Sequence, residues 1–228
     1  MADIEKKLTP VGKAMGKQMV RSWQIPQFAV ETEIDCEPMI AYRKSLGFKP
    51  SYTTILAKAV ADTLADFPVI RSSWAEDHLV IHEDIHIGIA VDTPRGLMVP
   101  TLRDANKKTL LEISRETKEL ANACKQGSIS PDLLSGASFT VSNVGVYGIE
   151  SFTPVINPPQ TGILGVCALQ DRVRPGKDGQ IELYKAMTLS LTYDHRALDG
   201  SPASRFMRDL KHNLENIQLL LGGGSYHA

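Results

Sequence analysis

The stretch MTLSLTYDHRALDG at residues 187–200 passes from an alternating apolar segment into a polar loop that ends on a glycine. The alternation predicts a half-buried strand that stops at Asp194. The stretch that follows, SPASRFMRDLKHNLENIQLLL, predicts a long amphipathic helix with Ser201 as its N-cap. His195 therefore stands in a strand-to-helix connection, with the carboxylate of Asp199 four residues further on.

Three interpretations of His195 and Asp199 compete at this point. A shared metal ion needs both ligands on one helix face, but the preceding strand and the DGSP stretch break any helix there. A structural pair would satisfy local hydrogen bonds and cap the last helix. A catalytic histidine would act as a general base, oriented by local hydrogen bonds with a carboxylate behind it. The motif alone leaves the structural and catalytic interpretations open.

Length and composition are those of an ordinary globular domain. The chain has 228 residues, of which 43% are hydrophobic and 22% charged, with a formal net charge of −1. A domain of this size buries roughly 70% of its unfolded surface, so its core needs no disulfide or metal. The three cysteines form no CxxC pair, which favours a reducing compartment.

The same numbers exclude two classes of partner. The balanced charge argues against nucleic-acid binding. No apolar run approaches the roughly 20 residues that span a bilayer, and the first residues lack the apolar core of a signal peptide. We therefore expect a soluble cytoplasmic protein, or one of the mitochondrial matrix in a eukaryote.

Periodicity along the chain predicts mixed helices and strands. Helical spacing appears in LTPVGKAMGKQMVRSW with Thr9 as N-cap, in SYTTILAKAVADTLADFP, in KTLLEISRETKELANACKQG ending at Gly127, and briefly in SISPDLLSG. Strand patterns occur in QFAVETEID, in three runs of HLVIHEDIHIGIAVDTPRGLMVPTL, and from ASFTVSN to LSLTYD. The order predicts one α+β domain over residues 1–228, a mixed or antiparallel sheet covered by helices, with frayed ends at 1–8 and 222–228.

Four stretches together resemble a known family. DHRALDG is similar to the HxxxDG motif of the dihydrolipoamide acyltransferases, the core components of 2-oxo acid dehydrogenase complexes, and of the related chloramphenicol acetyltransferases. MVRSWQIPQF, HIGIAVDTPRGLMVPTLRD and GASFTVSNVGVYGIESFTPVINPPQTGILGV extend the resemblance over nearly the whole chain. The resemblance implies a chloramphenicol acetyltransferase-like fold. It also implies transfer of an acyl group, acetyl or another small one, between dihydrolipoamide and coenzyme A.

The resemblance implies roles for individual residues. His195 would take the proton of the attacking thiol, because a free thiol with a pKa of about 8.5 is mostly protonated at neutral pH. Ser142 would donate to the oxygen that becomes negative as the thioester is attacked. Asp199 would act behind the histidine, and Arg21 would pair with Asp199 to hold the loop. Asn143 is expected to be a left-handed turn residue without a catalytic role.

Partners follow from the resemblance as well. It implies a homotrimer that can assemble into a larger cubic core, with coenzyme A and dihydrolipoamide as substrates and no metal. Lipoyl and subunit-binding domains, usual in the family, are not expected within this chain, so the chain is either an excised core or a protein that meets a lipoyl-bearing domain in trans. Two alternatives stay open: an acetyl-CoA-dependent O-acetyltransferase of the chloramphenicol type, and a catalytically silent assembly core.

Overall fold

One long strand organises the sheet. The computed structural model describes residues 3–176 and 179–222, and its strand β9 runs for 14 residues, Ile181–Asp194. The last six residues of β9 are all buried. Strands pair with β9 along both of its edges, so this strand lies inside the sheet and its register fixes the positions of its neighbours.

The main sheet holds seven strands within the described residues. Its other members are β1 (Gln27–Asp35), β4 (Ile87–Ile89), β5 (Thr101–Leu102), β6 (Phe139–Asn143), β7 (Gly162–Val166) and β8 (Gln170–Pro175). Their order is β1-β9-β7-β6-β4-β5, and β8 also pairs with β9. The β4–β6 and β6–β7 pairs are parallel, so the sheet is mixed. Two further strands, β2 (Ser72–Ala75) and β3 (His78–Ile81), form a separate hairpin.

Six α-helices in the part of the chain that the structure describes pack around this sheet, most of them on its core face. They are α1 (Pro10–Trp23), α2 (Glu37–Ser45), α3 (Tyr52–Leu64), α4 (Leu110–Gln126), α5 (Gly200–Glu215) and α6 (Ile217–Leu221). The core lies where α3 and α5 meet the sheet, and there Phe206 packs its ring 5.5 Å from Phe67 and 6.0 Å from Phe139, between centroids. None of the helices in the described residues has both the length and the apolar character to cross a bilayer.

The structure confirms the α+β fold with a mixed sheet and helices. The local signals at helix ends were the most informative. The Thr9 hydroxyl accepts from the Gly12 N–H at 3.0 Å at the start of α1, and Gly127 ends α4 with a left-handed φ of 72°. The last helix differs from the prediction: it begins at Gly200 with Asp199 as N-cap instead of Ser201, because the Asp199 carboxylate accepts from the Ser201 N–H at 3.1 Å.

Other parts of the pattern were missed or fall outside the structure. The helix α2 and the strand β2 were not predicted. The predicted strand region from ASFTVSN onwards is interrupted at residues 144–161, which lie across one face of the sheet. Of the ends predicted to fray, residues 3–8 carry no regular secondary structure, and residues 1–2 and 223–228 lie outside the described part of the chain.

A glycine allows the segment 144–161 to lie close against the sheet. A Cβ atom at Gly165, in β7, would stand 2.9 Å from the Phe152 ring and 3.0 Å from Pro154. These distances are shorter than van der Waals contact, so only glycine leaves room for the two rings. Because Gly165 is the register partner of Ser142 in β6, the segment passes directly beside that serine.

We expect Gly165→Ala to lower the free energy of unfolding by about 1–3 kcal/mol, because the added methyl group overpacks against Phe152 and Pro154. Gly47→Ala is the matched control, since a Cβ atom there meets nothing within 4 Å. Its effect should stay within about 0.5 kcal/mol. Urea unfolding of both variants at one protein concentration tests the difference, and equal stability of the two would contradict this packing argument.

Candidate active site

Ser142 lies on the face of the sheet that points away from the core. In the register it shares a row with Gly165 and Ser190. The adjacent row belongs to the hydrophobic core and consists of Val141, Leu164 and Leu191. Because side chains alternate between the two faces of a sheet, Ser142 points to the opposite side.

A cavity of about 740 Å³ lies on that face and has Ser142 in its wall. The helix α1 contributes Met15 and Met19, and the segment 144–161 contributes Phe152. All side chains that line the cavity within the described residues are uncharged, and none of them titrates. A mostly apolar cavity with a few fixed polar groups is typical of a site for an extended small molecule.

Hydrogen bonds hold α1 against the segment that forms the cavity wall. The Gln18 amide donates to the Asn157 side-chain oxygen at 3.1 Å and to the Pro158 carbonyl. The buried Ser22 hydroxyl donates to the Ile156 carbonyl at 2.5 Å. Polar side chains of α1 therefore fix the wall segment against this helix.

His195 is exposed at the end of β9 and takes no part in the wall of that cavity. Its backbone N–H donates to the Pro26 carbonyl at 2.9 Å. Its ring stands edge-on to Phe28, with centroids 6.1 Å apart, and tilted against Tyr193 at 5.7 Å. Burial, and to a smaller extent the charge of Asp199, raises the pKa of Tyr193, so this phenol stays protonated at neutral pH.

The register separates the two predicted site residues within one chain. Ser142 is joined through Gly165 to Ser190 of β9, and His195 follows Ser190 by five residues. With strands about 4.8 Å apart and a rise of about 3.3 Å per residue, the two backbones are roughly 19 Å apart. The side chains also follow opposite faces of the sheet, so a single chain does not bring the serine and the histidine together.

Asp199 and Arg21 do not form the predicted pair. Asp199 caps α5 through its bond to the Ser201 N–H. Arg21 is exposed in the last turn of α1 and makes no ion pair within residues 3–176 and 179–222. The reason is the orientation of α1: Gln18 and Ser22 hold one side of the helix against the cavity wall, which leaves Arg21 on the outer side with Lys17. The pairing of Arg21 with Asp199 therefore stays a prediction that the described part of the single chain does not show.

Comparison with known proteins assigns the chain to a family. Residues 2–222 match the family model described as 2-oxoacid dehydrogenases acyltransferase (catalytic domain). The chain belongs to this family. It is 34% identical over 229 residues to the dihydrolipoyllysine-residue acetyltransferase component of the Bacillus subtilis pyruvate dehydrogenase complex, covering 96% of the chain and 52% of that protein. It is 37% identical over 197 residues to the succinyltransferase component of the Haemophilus influenzae 2-oxoglutarate dehydrogenase complex, covering 83% and 48%.

The chain thus spans about half the length of the curated relatives it matches. Among solved structures, it is similar to the cubic core of a pyruvate dehydrogenase multienzyme complex, with a TM-score of 0.89 and 33% identity over 96% of this chain and 94% of that one. A second match, with the same values, is an Azotobacter vinelandii dihydrolipoamide acetyltransferase whose structure was used to study the catalytic roles of a serine, a histidine and an asparagine.

The fold is shared more widely. A chloramphenicol acetyltransferase matches with a TM-score of 0.55 and 15% identity over 92% of this chain and 98% of that chain, a likeness that concerns the fold alone. The expected chloramphenicol acetyltransferase-like architecture of this acyltransferase-family chain is thereby confirmed.

The cysteines of this acyltransferase-family chain are poor nucleophiles. All three are buried and free. Burial raises the pKa of Cys36 to about 12 and also raises the pKa values of Cys124 and Cys167. A thiol reacts as its thiolate, so these side chains remain inert at neutral pH.

Local hydrogen bonds and ion pairs account for Asn143 and for one cluster of possible metal-ligand atoms. Asn143 is not left-handed, contrary to the prediction: its side-chain oxygen accepts from the Gly145 N–H at 2.8 Å, and its amide donates to Thr53. Asp84, His86 and Asp104 offer possible metal-ligand atoms within 4.8 Å of one another. The ammonium group of Lys107 already bonds both carboxylates, at 2.7 Å and 3.1 Å.

Several residues around the site were not predicted. Gln18 and Phe152 contact the cavity through tertiary packing, which leaves no local signature in the sequence. Asp194 and Arg196 were given no role, although two opposite charges directly flanking His195 were visible in the quoted motif.

Replacing Asp199 separates its charge from its capping role. We expect Asp199→Ala to lower the free energy of unfolding by about 1 kcal/mol, because α5 loses its N-cap. Asp199→Asn should change it by less than about 0.5 kcal/mol, since asparagine caps helices as well as aspartate does. Urea unfolding of the two variants tests this, and equal losses in both would mean that the negative charge matters more than the cap.

Proposed function

We propose that the chain transfers an acyl group between coenzyme A and dihydrolipoamide, the latter presented by a lipoyl-bearing domain. The proposal rests on the separation of Ser142 from His195 within the single chain. Ser142 lines an uncharged cavity that contains no base among the described residues, while His195 is exposed at the far end of the sheet. The relatives named above are acyltransferase components of 2-oxo acid dehydrogenase complexes, which gives the proposal its substrate class.

The chemistry needs one base and one hydrogen-bond donor. His195 removes the proton of the attacking thiol, and the thiolate sulfur adds to the thioester carbonyl. The carbonyl oxygen then carries a negative charge, and the Ser142 hydroxyl donates a hydrogen bond to it. When the intermediate collapses, the bond to the departing sulfur breaks and that sulfur takes the proton from the imidazolium. No proton or electron is left over, and no metal is required.

The base and the donor come from neighbouring copies in this proposal. Large apolar side chains are exposed on the surface. Phe28 contacts the His195 ring, Trp23 ends α1 and is 82% exposed, and Val146, which is 77% exposed, and Tyr147 follow Ser142 in the chain after β6. Burying these side chains in one interface joins the two halves. A cyclic trimer does this with three equivalent contacts, and a channel between subunits gives two long thiol substrates separate entrances.

Asp199 acts on this site through the loop that it caps. Its bond to α5 fixes the end of the connection that carries His195. The Azotobacter vinelandii relative was studied for a serine, a histidine and an asparagine, which supports roles for Ser142 and His195 and a role for Asp199 that does not depend on charge.

The acyl group in this proposal is small and uncharged. A succinyl group would place a carboxylate in the cavity, where the described residues offer no cationic side chain to pair with it. Sequence identity alone does not decide, because acetyl- and succinyltransferase components match the chain about equally well. We propose acetyl as the natural group.

Steady-state transfer from a panel of acyl-CoA thioesters to free dihydrolipoamide tests the reaction and the acyl class together. We expect kcat/KM for acetyl-CoA to exceed that for succinyl-CoA by about 100-fold, because the buried carboxylate is unpaired. His195→Ala should lower kcat by about 1000-fold. Transfer to a hydroxyl acceptor instead of dihydrolipoamide would favour an O-acetyltransferase, and absence of any transfer by the wild type would leave an assembly core.

Complementation tests whether the site is shared between chains. We expect inactive His195→Ala and Ser142→Ala chains, unfolded and refolded together in equal amounts, to recover about a quarter of the wild-type activity. Three quarters of randomly mixed trimers are hybrids, and one of the three sites in each hybrid has both residues intact. The same chains refolded separately and then mixed are the control. A mixture that contains hybrid trimers by mass but stays inactive would place the site within one chain.

A further inference from the structure

One buried charge stands out in the described part of the chain. Among the residues there that are classed as buried, Asp194 alone carries a charged side chain, and its carboxylate is 0% exposed. It directly precedes His195. Burying a charge is costly, and a buried ion pair rarely stabilises a fold more than apolar residues of the same volume would. Stability alone therefore does not explain why a charged side chain is buried at this position.

The carboxylate is bonded to the residue on the other side of the histidine. The Asp194 carboxylate accepts from the Arg196 backbone N–H at 2.9 Å, from its Nε at 3.0 Å and from its Nη2 at 2.7 Å. The two side chains form a bidentate pair that closes a ring across the backbone of His195. On its other face the Arg196 guanidinium lies 4.6 Å from the centre of the Trp74 ring.

This ring determines the direction of the histidine. Residues 195–197 form a turn after β9, and the Asp194 carboxylate stabilises it by accepting from the Arg196 backbone N–H. With the Asp194 and Arg196 side chains bonded to each other, the His195 ring lies beside Tyr193 and Phe28. The backbone is fixed as well, because Asp194 N–H donates to the Thr161 carbonyl at 2.9 Å and its own carbonyl accepts from Leu198 N–H at 3.2 Å.

The same contacts connect the histidine to the cavity. Trp74 belongs to β2, and its backbone N–H donates to the Pro159 carbonyl at 3.2 Å. Pro159 and its neighbour Gln160 line the cavity that contains Ser142. The stacking of Arg196 on Trp74 thus places the loop of His195 relative to the turn that forms part of the substrate wall.

We infer that Asp194, Arg196 and Trp74 are positioning residues that hold the His195 ring in the orientation needed for proton transfer. This inference rests on the proposed function, because it assumes that His195 is the base. An exposed side chain on a free loop would sample several rotamers, whereas a base must be held within a fraction of an ångström of the reacting proton. The ion pair supplies that constraint without touching the substrates.

A double substitution separates positioning from structural support. Arg196→Met keeps much of the stem over Trp74 but leaves the Asp194 carboxylate buried and unpaired, so that variant is expected to be unstable. The double variant Asp194→Asn/Arg196→Met removes both charges, and its thermal midpoint should recover towards the wild-type value. We expect its kcat with acetyl-CoA to stay about 30-fold low, with KM for both substrates within about twofold of wild type. Arg196→Lys keeps the charge but lacks the planar guanidinium, so its kcat should lie between those of the double variant and the wild type.

The chain offers a matched control. Arg174 of β8 bonds the carboxylates of Asp35 in β1 and Glu182 in β9 and lies 4.6 Å from the centre of the Tyr184 ring, so it too joins an acidic and an aromatic partner. Arg174→Met should leave kcat within about twofold of wild type. Recovery of wild-type kcat together with stability in the double variant would overturn the inference, as would an equal loss of kcat in Arg174→Met. An inactive wild type, or a fully active His195→Ala, would instead overturn the proposed function.

Discussion

The register of β9 is the constraint on which the rest of this structure depends. The strand is paired on both edges, and its side chains at Leu189, Leu191 and Tyr193 enter the hydrophobic core. A slip of one residue would turn all of them to the other face, so the register has one stable value. That value also sets the distance between Ser142 and the end of the strand. The separation of the two site residues is thus a consequence of packing the core, and no loop movement on the scale of a side chain can remove it.

Titratable side chains are distributed unevenly around the proposed site. The cavity beside Ser142 contains no titratable side chain in the described residues, and burial keeps the cysteines protonated. An uncharged cavity costs little to desolvate when an apolar acyl chain enters it. It also lacks any group that could remove a proton from a thiol. The one buried carboxylate among the described residues, Asp194, lies at the end of β9 next to His195 and is bonded to Arg196.

Local signals predicted the parts of this fold that local physics determines. The caps at Thr9 and Gly127 and the apolar stripe of α4 depend only on neighbours within one or two turns, and all three match the structure. The helix α2 was missed because it is short and its N-cap, Cys36, makes no side-chain capping bond. The strand β2 has four residues, too few for a clear alternation.

The site was predictable only in part for the same reason. The sequence marks His195, Ser142 and Asp199 through a motif and a resemblance, but their distances follow from strand register and from contacts between elements far apart in the chain. Arg21 was assigned by resemblance alone, and the orientation of α1 set by Gln18 and Ser22 was not visible in its helical pattern. Asp194 and Arg196 were visible on either side of His195 in the motif. Their role depends on the burial of Asp194, which is a tertiary property that the sequence does not show.

A divided site links catalysis to assembly in the proposed trimer. In the single chain His195 is exposed to water, and a charge that develops beside it is screened by the solvent. Hydrogen bonds and fixed dipoles act more strongly once water is excluded from the reacting groups. Exposed apolar side chains, such as Phe28 against His195 and Val146 after β6, are the surface whose burial would exclude that water. The surface that stabilises the interface would then also provide the dry environment that the base and the hydroxyl donor need. A chain built only as a scaffold has a reason to keep such apolar patches, but none to hold a histidine between a bonded aspartate and arginine at the edge of one of them.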